Sequence, residues 1–164
     1  MSFRVGLGYD AHRFAEGRDL VLGGVRLDHP QGLAGHSDAD VLVHAVIDAL
    51  LGAAGLGDIG ELFPDADPAF AGADSLRLLG DVAVRLADAG WRVVNVDVVV
   101  VCEMPRLSPV RDAVKANLAG AMQIDAASVG VKGTTTERMG FEGRGEGIGA
   151  TAVCLLERVP AGTA

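Results

Sequence analysis

Asp10, His12 and His44 are the residues of this 164-residue chain best suited by type and spacing to hold a metal ion. Asp10-x-His12 follows an apolar run, Phe3 to Leu7, whose composition predicts a strand. Side chains two apart on a strand share a face, so this carboxylate and imidazole can converge on one point. His44 lies within a stretch of helix chemistry that runs from Ser37 to Leu51. Two imidazoles and one carboxylate are a common ligand set for a catalytic zinc, whose fourth position stays open for water or substrate. The chain holds only four histidines, so finding two of them in such segments narrows the search.

On a helix over 38–54, Asp40, His44 and Asp48 recur every fourth residue and form one stripe. Most other positions are apolar (Val41, Leu42, Val43, Val46, Ile47, Leu50, Leu51). Such a helix should be mostly buried, and its narrow polar stripe should then face something polar. A ligating histidine normally donates its second N–H to an acceptor that fixes its tautomer, and Asp48 is the residue expected to serve His44 in this way. Asp40 could act similarly or simply favour the helix N-terminus. The plain alternative for the stripe is a solvated helix edge.

Two loops suit close backbone approach to a ligand. Gly57-Asp58-Ile59-Gly60 continues to Leu62-Phe63-Pro64-Asp65, and Lys132-Gly133-Thr134-Thr135-Thr136-Glu137 offers an ammonium, three hydroxyls and backbone N–H groups. The second is not a Walker A loop, because G-x-x-x-x-G-K-[ST] is absent. Gly6-x-Gly8-x-x-Ala11 matches the dinucleotide fingerprint, with Asp28 downstream, but that motif must open a helix and Gly17 leaves no room for one. Gly145-x-Gly147-x-x-Ala150 runs into a strand instead of out of one, so it is discounted too.

The elements that must position these residues follow from pattern. Strands are predicted over 3–9, 92–102, 129–132 and 148–159, with a small hairpin over 21–27 turning at Gly23-Gly24. The helix over 38–54 should be capped by Ser37 or Asp38 and end near Gly55. A Gly/Asp/Pro-rich loop spans 55–73, Asp74 caps a second helix that stops at Gly90, and Ser108-Pro109 starts a third that stops at Gly120. The run 92–102 alternates and then turns continuously apolar, which suggests a central strand covered on both faces. The fold class is α/β, with an α+β-like arrangement. One mixed sheet carries helices on one face, with a small hairpin beside it, in one domain over 1–164.

Hydrophobic residues make up 49% and mean hydropathy is +0.32, yet no apolar run reaches the ~18 residues of a membrane span. The excess fits a large core plus a buried subunit interface, hence a homo-oligomer. A formal charge of −8 and a pI near 4.8 argue against nucleic-acid or anionic-membrane binding, while anionic small molecules stay possible through metals and backbone donors. The N-terminus lacks a secretory apolar segment, and Cys102 and Cys154 read as reduced, buried thiols of a cytoplasmic protein.

Four stretches together resemble the 2-C-methyl-D-erythritol 2,4-cyclodiphosphate synthases of the non-mevalonate isoprenoid pathway. They are Gly8-Tyr-Asp-Ala-His12, His36-Ser-Asp-Ala-Asp-Val-Leu-Val-His44, Gly57-Asp-Ile-Gly-Glu-Leu-Phe-Pro-Asp65 and Lys132-Gly-Thr-Thr-Thr-Glu-Arg-Met-Gly-Phe-Glu-Gly-Arg-Gly-Glu-Gly147. The resemblance covers Val5 to about Glu157. It implies a homotrimer with active sites between subunits, converting 4-diphosphocytidyl-2-C-methyl-D-erythritol 2-phosphate to the 2,4-cyclodiphosphate with release of CMP. By the same resemblance Asp10, His12 and His44 bind zinc, and Glu137 binds a second divalent ion, Mg2+ or Mn2+. His36 and Thr135 stabilise the transition state. Asp10 and His12 also bind substrate, and His36, Ser37, Asp58, Ile59, Gly60, Phe63, Pro64, Asp65, Ala66 and Asp67 meet the methylerythritol phosphate. The neighbouring subunit's cytidine loops are Cys102-Glu103-Met104-Pro105-Arg106-Leu107-Ser108 and Thr134-Thr135-Thr136-Glu137, and Phe141 and Arg144 match further binding positions. Ala66, Gly133 and Arg106 stand where the family commonly has Thr, Ala and Lys.

The chemistry suits these residues. The nucleophile is an ionised phosphate oxygen and the leaving group is CMP, so charge neutralisation and in-line positioning matter more than a strong base. A two-histidine, one-carboxylate set also describes non-haem iron oxygenases, in which the Lys132–Glu137 loop would have no task. A nucleotide-binding module without turnover is the other alternative, and His36 and Glu137 argue against it.

Overall fold

The computed structural model describes residues 2–64 and 66–160. Its first strand, β1 (Phe3–Ala15), runs well past the predicted 3–9. It continues because Asp10 and His12 keep the alternation and pair with Ala150 and Ile148 of β7 (Gly147–Arg158). Even-numbered positions Gly6, Gly8, Asp10 and His12 face the helices, whereas Phe3, Val5, Leu7 and Tyr9 face away and are exposed.

The hairpin forms as expected from β2 (Leu20–Leu22) and β3 (Val25–Leu27), with left-handed Gly23 and Gly24 between them. After β4 (Gly32–Leu33), β5 (Trp91–Val101) and β6 (Val129–Thr134) complete a mixed five-stranded sheet in the order β4-β1-β7-β5-β6. Only the β5–β6 pair is parallel.

Helix α1 (Val41–Ala54) lies on β1 and β7, and α3 (Ser75–Asp88) and α4 (Arg111–Met122) extend the layer along the same face. Alpha-1 is buried almost all round because the sheet takes one side and α3 the other. Its N-cap is Asp40, two or three residues later than predicted. The Asp40 carboxylate accepts from Val43 N at 3.2 Å and from Gly24 N at 2.7 Å, which joins the helix start to the hairpin. Burial pushes this carboxyl up to about 6, although the Gly23 and Gly24 N–H groups pull the other way. Asp74 caps α3 as expected, and Gly55 ends α1 in the left-handed conformation.

Three further boundaries differ from the sequence reading. The 55–73 stretch contains a short helix, α2 (Ile59–Leu62), and a 3-10 turn at Pro68–Phe70, each capped by an aspartate, Asp58 and Asp67. Ser108-Pro109 does not open α4, because a turn closed by Val110 N on Leu107 O comes first. Gly120 is inside α4, which ends at left-handed Gln123. Beta-5 is buried on the helix side only, and its other face, Val94, Asn95, Asp97, Val99 and Val101, is not covered in the chain. Across that open face, Val5, Leu155 and Asn95 are in register, as are Leu7, Val153 and Asp97. No helix among the described residues is long and apolar enough to cross a membrane.

Gly6 and Gly8 owe their presence to the helix pressed on them. A Cβ on Gly8 would sit 2.0 Å from Ala45 O and 2.6 Å from Ala49 N, and one on Gly6 would sit 1.9 Å from Ala49 O. Gly8→Ala should therefore cost about 3 kcal/mol of stability through overpacking against backbone. Gly120→Ala, with nothing within 4 Å of the new methyl, should gain about 0.5–1 kcal/mol. Denaturant unfolding at fixed protein concentration checks both, and a neutral Gly8→Ala would contradict the packing.

Candidate active site

Beta-1 and α1 bring Asp10, His12 and His44 together at one end of their contact. Asp10 Oδ2 lies 2.9 Å from His12 Nε2 and 3.1 Å from His44 Nδ1, and the two ring nitrogens are 3.2 Å apart. The other Asp10 oxygen accepts from Ala11 N at 2.8 Å, which leaves Oδ2 turned to the imidazoles. Around a zinc with bonds of ~2.0–2.1 Å, tetrahedral ligand atoms lie about 3.3 Å apart, so this trio fits a divalent ion without rebuilding. Its oxygen and two nitrogens are donors such an ion accepts, and all three ligand atoms lie within 4.8 Å of one another.

Electrostatics follow from that contact. Burial opposes the charged Asp10 carboxylate, but hydrogen bonds and charge from His12 and His44 outweigh it and hold the carboxyl well below its ordinary range. Burial likewise opposes a charged His12, yet Asp10 wins and raises the imidazole above its usual value.

Asp48 does not take the role expected of it. Its Oδ1 accepts from Ile59 N at 2.9 Å, so it ties the Asp58–Gly60 loop to α1, and burial raises its carboxyl. His44 turns its Nε2 the other way, 3.2 Å from Ser37 Oγ and 3.0 Å from Ser75 Oγ. The hydroxyl of Ser75 donates in turn to Asp38 Oδ1 at 2.5 Å. Ser75 was not legible as a site residue, since it reads as an ordinary first residue of α3.

His12, His36, Ser37, His44, Asp48, Ile59, Gly60 and Phe63 line, with Asp10, a cavity of about 210 Å³. Phe70 and Leu78, not foreseen, complete its apolar wall, and Phe63 meets Phe70 edge to face at 5.3 Å. His36 Nε2 is 3.3 Å from the Asp67 carbonyl, and Gly72 N donates to His36 O. Arg18, also not foreseen, donates to Gly35 O at 2.8 Å and Ser37 O at 2.6 Å and so clamps this loop. Asp58 and Asp67 serve as the caps described above, Pro64 and Ala66 lie outside the cavity lining, and Asp65 falls outside the described residues.

The second set of predicted residues forms a separate cavity. Cys102 to Ser108, Thr134 and Thr135 line about 420 Å³ together with Arg111, which the sequence reading missed. This cavity shares no lining residue with the first. Burial pushes the Cys102 thiol up to about 11, so it is a packing group and not a thiolate. Lys132 is not there. It pairs with Asp97 at 2.5 Å, and the cavity's cations are Arg106 and Arg111. Beyond the cavity, Glu137 and Arg138 have left-handed backbones. Thr135 Oγ1 donates to Glu137 Oε1 at 2.9 Å, and Arg138 N to Glu103 Oε1 at 3.0 Å. Thr136, Phe141 and Arg144 line neither cavity, and Arg144 pairs with Glu146 at 2.7 Å. A larger cavity of about 580 Å³ lies by Trp91 and the ends of α3 and α4 and shares no lining residue with either of these two.

Metal uptake must displace the His12 proton, whose affinity Asp10 raises. Calorimetry of zinc binding near pH 6.5 in buffers of different ionisation enthalpy should show net proton release that fades as pH rises past the His12 titration. In the metal-free protein the raised His12 stabilises the fold below about pH 6.5, and that stabilisation is lost as pH rises through its native value. Proton-neutral binding at pH 6.5 would contradict the assignment of His12.

Comparisons with known proteins agree with this geometry. A sequence model of the YgbB family matches residues 3–157. The 2-C-methyl-D-erythritol 2,4-cyclodiphosphate synthase of Rubrobacter xylanophilus is 62% identical over 159 residues, covering 95% of this chain and 96% of the relative. Among solved structures, the IspF of Plasmodium falciparum, in a CDP complex, superposes with a TM-score of 0.84 at 31% identity, over 97% of this chain and 98% of that one. The bifunctional IspDF from Campylobacter jejuni superposes with a TM-score of 0.92 at 41% identity, over 96% of this chain. This chain spans 42% of the length of that bifunctional protein. The chain belongs to the YgbB family.

Proposed function

We infer that this chain catalyses the reaction its relatives are named for, the cyclisation of 4-diphosphocytidyl-2-C-methyl-D-erythritol 2-phosphate with release of CMP. The observation that carries it is the convergence of Asp10, His12 and His44 with His36 and Ser37 in one cavity, in a chain 62% identical to a synthase over 95% of its length. A 2-phosphate oxygen attacks the β-phosphorus, the bond from that phosphorus to the bridging oxygen breaks, and CMP leaves with the electron pair. Asp10, His12 and His44 would hold a divalent ion, zinc, and Glu137 a second, Mg2+ or Mn2+. Bound there, the ions would supply charge neutralisation to the diphosphate.

The chain's own groups do the positioning. The Asp67 carbonyl accepts from His36 Nε2 and so orients the imidazole in the cavity wall, beside the phosphates. Thr135 and the backbone beside it hold the other end of the diphosphate, and Arg106 and Arg111 offset its charge. Ser37 and the Asp58–Gly60 loop, fastened by Asp48, orient the methylerythritol, while Phe63 and Phe70 keep water from the β-phosphorus. An iron oxygenase or a non-catalytic module would leave this division of labour unexplained.

The protein acts as a cytoplasmic homotrimer in this reading. The two cavities share no residue within a chain, and the open sheet face presents Phe3, Val5, Leu7 and Tyr9, each at least half exposed. Burying that stripe between copies is the reading that hydrophobic area favours. Light scattering should give three chain masses, and Leu7→Arg should lower that mass together with activity. A monomer with full activity would contradict the assembly.

The reaction itself is tested by CMP release from the diphosphocytidyl substrate. Chelator should abolish it. Glu137→Gln should lower turnover about 100-fold yet keep one zinc per chain, whereas His44→Ala should lose zinc before substrate is added. No CMP from the wild type would overturn the assignment, and zinc loss in Glu137→Gln would overturn the two-ion division.

A further inference from the structure

The groups behind His44 constrain its tautomer. A carboxylate can only accept hydrogen bonds, and Asp38 accepts from Ser75 Oγ at 2.5 Å, Ser75 N at 3.0 Å and Asp40 N at 3.2 Å. The one hydroxyl proton of Ser75 is thereby committed to Asp38. Only lone pairs of Ser75 then remain for His44 Nε2, 3.0 Å away, so that nitrogen must carry the proton. Ser37 Oγ, 3.2 Å from the same nitrogen, accepts from Ala39 N and keeps its own proton free, so it is compatible with either tautomer. With Nε2 protonated, Nδ1 is the nitrogen left to ligate, and a metal bound there replaces the 3.1 Å contact that Nδ1 makes with Asp10 Oδ2 in the metal-free protein.

We propose that Ser75 and Asp38 are positioning residues for the metal site: a carboxylate–hydroxyl–imidazole relay that fixes His44 with Nε2 protonated and Nδ1 free to ligate. The proposal rests on reading Asp10, His12 and His44 as the metal ligands. Ser75 is fully buried at the start of α3, and Asp38 stands in the loop that carries His36 and Ser37. The relay therefore also locks that loop onto α3, where Asp38 N donates to Ala73 O at 3.0 Å. Anchors of this kind behind a ligating histidine typically change metal affinity 10–100-fold.

The test is a zinc titration against a chromophoric chelator, beside melting of the metal-free proteins. Ser75→Ala and Asp38→Ala should each weaken zinc about 10–100-fold, and the double variant should be no weaker than the weaker single one, because both break one relay. Ser75→Thr, which keeps the hydroxyl, should recover most of the affinity. A purely structural role would lower the melting temperature of the metal-free variants and leave zinc affinity within twofold, and that result overturns the proposal. A second readout needs only the wild type. Nitrogen-15 correlation spectra of the metal-free protein above the His12 titration should show a proton on His44 Nε2, and an unprotonated Nε2 overturns the relay. Failure of the wild type to take up zinc would instead sink the metal reading, while the tautomer still decides the relay.

Discussion

The distance between β1 and α1 is the constraint on which the rest of this structure depends. Gly6 and Gly8 on the strand meet Ala45, Ala49 and Ala53 on the helix, so backbone lies against backbone with no side chain between. Those alanines recur every fourth residue and form the helix face that touches the sheet. The strand face that begins with Gly6 and Gly8 continues as Asp10 and His12, and the helix supplies His44 one residue before Ala45. Close packing therefore delivers the three ligand atoms to within 3.2 Å of each other. A bulkier residue at Gly8 would lift the helix and separate them.

Charge organises the next level. A chain with a formal charge of −8 must admit a substrate bearing several phosphates, so the local field has to differ from the global one. Asp10 spends its charge on His12 and His44, and Asp38 spends its own on Ser75 and two backbone donors. Asp48 is occupied with Ile59 N, and Asp58 and Asp67 are occupied as caps. Much of the acidity near the cavity is thus engaged in holding backbone. In the proposed mechanism the ions, the histidines and the arginines of the second cavity meet the phosphates.

Much of this was legible in the sequence. The period-two spacing placed Asp10 and His12 on one face, Gly23-Gly24 marked the hairpin, and Asp74 and Gly55 marked helix ends, because these signals are local. What could not be read depends on packing. Asp40 displaced Ser37 and Asp38 as the cap because the hairpin backbone offers it Gly24 N, a contact across 16 positions. Asp48 faced Ile59 instead of His44, since residues four apart on a helix share a side without necessarily touching. Ser75 reached His44 only through the docking of α3 on α1, and nothing in its neighbourhood in sequence announces that. Lys132 alternates to the open sheet face, so its place beside a phosphate-like loop misled. Gly6-x-Gly8, a false dinucleotide fingerprint, marks the helix contact.

In the proposed assembly each site is completed by two chains, with the ion-holding half on β1 and α1 of one and the nucleotide-holding half on the β5 and β6 ends of the next. Mixing two inactive variants tests this most directly. His12→Ala removes a residue from the first half and Thr135→Ala from the second, so in randomly reassembled oligomers some sites draw an intact residue from each. Subunits mixed in equal amounts should regain roughly a quarter of wild-type CMP release, since two independently assorting chains supply each site. Activity no greater than that of the separate variants, in oligomers shown to have exchanged subunits, would contradict the shared site.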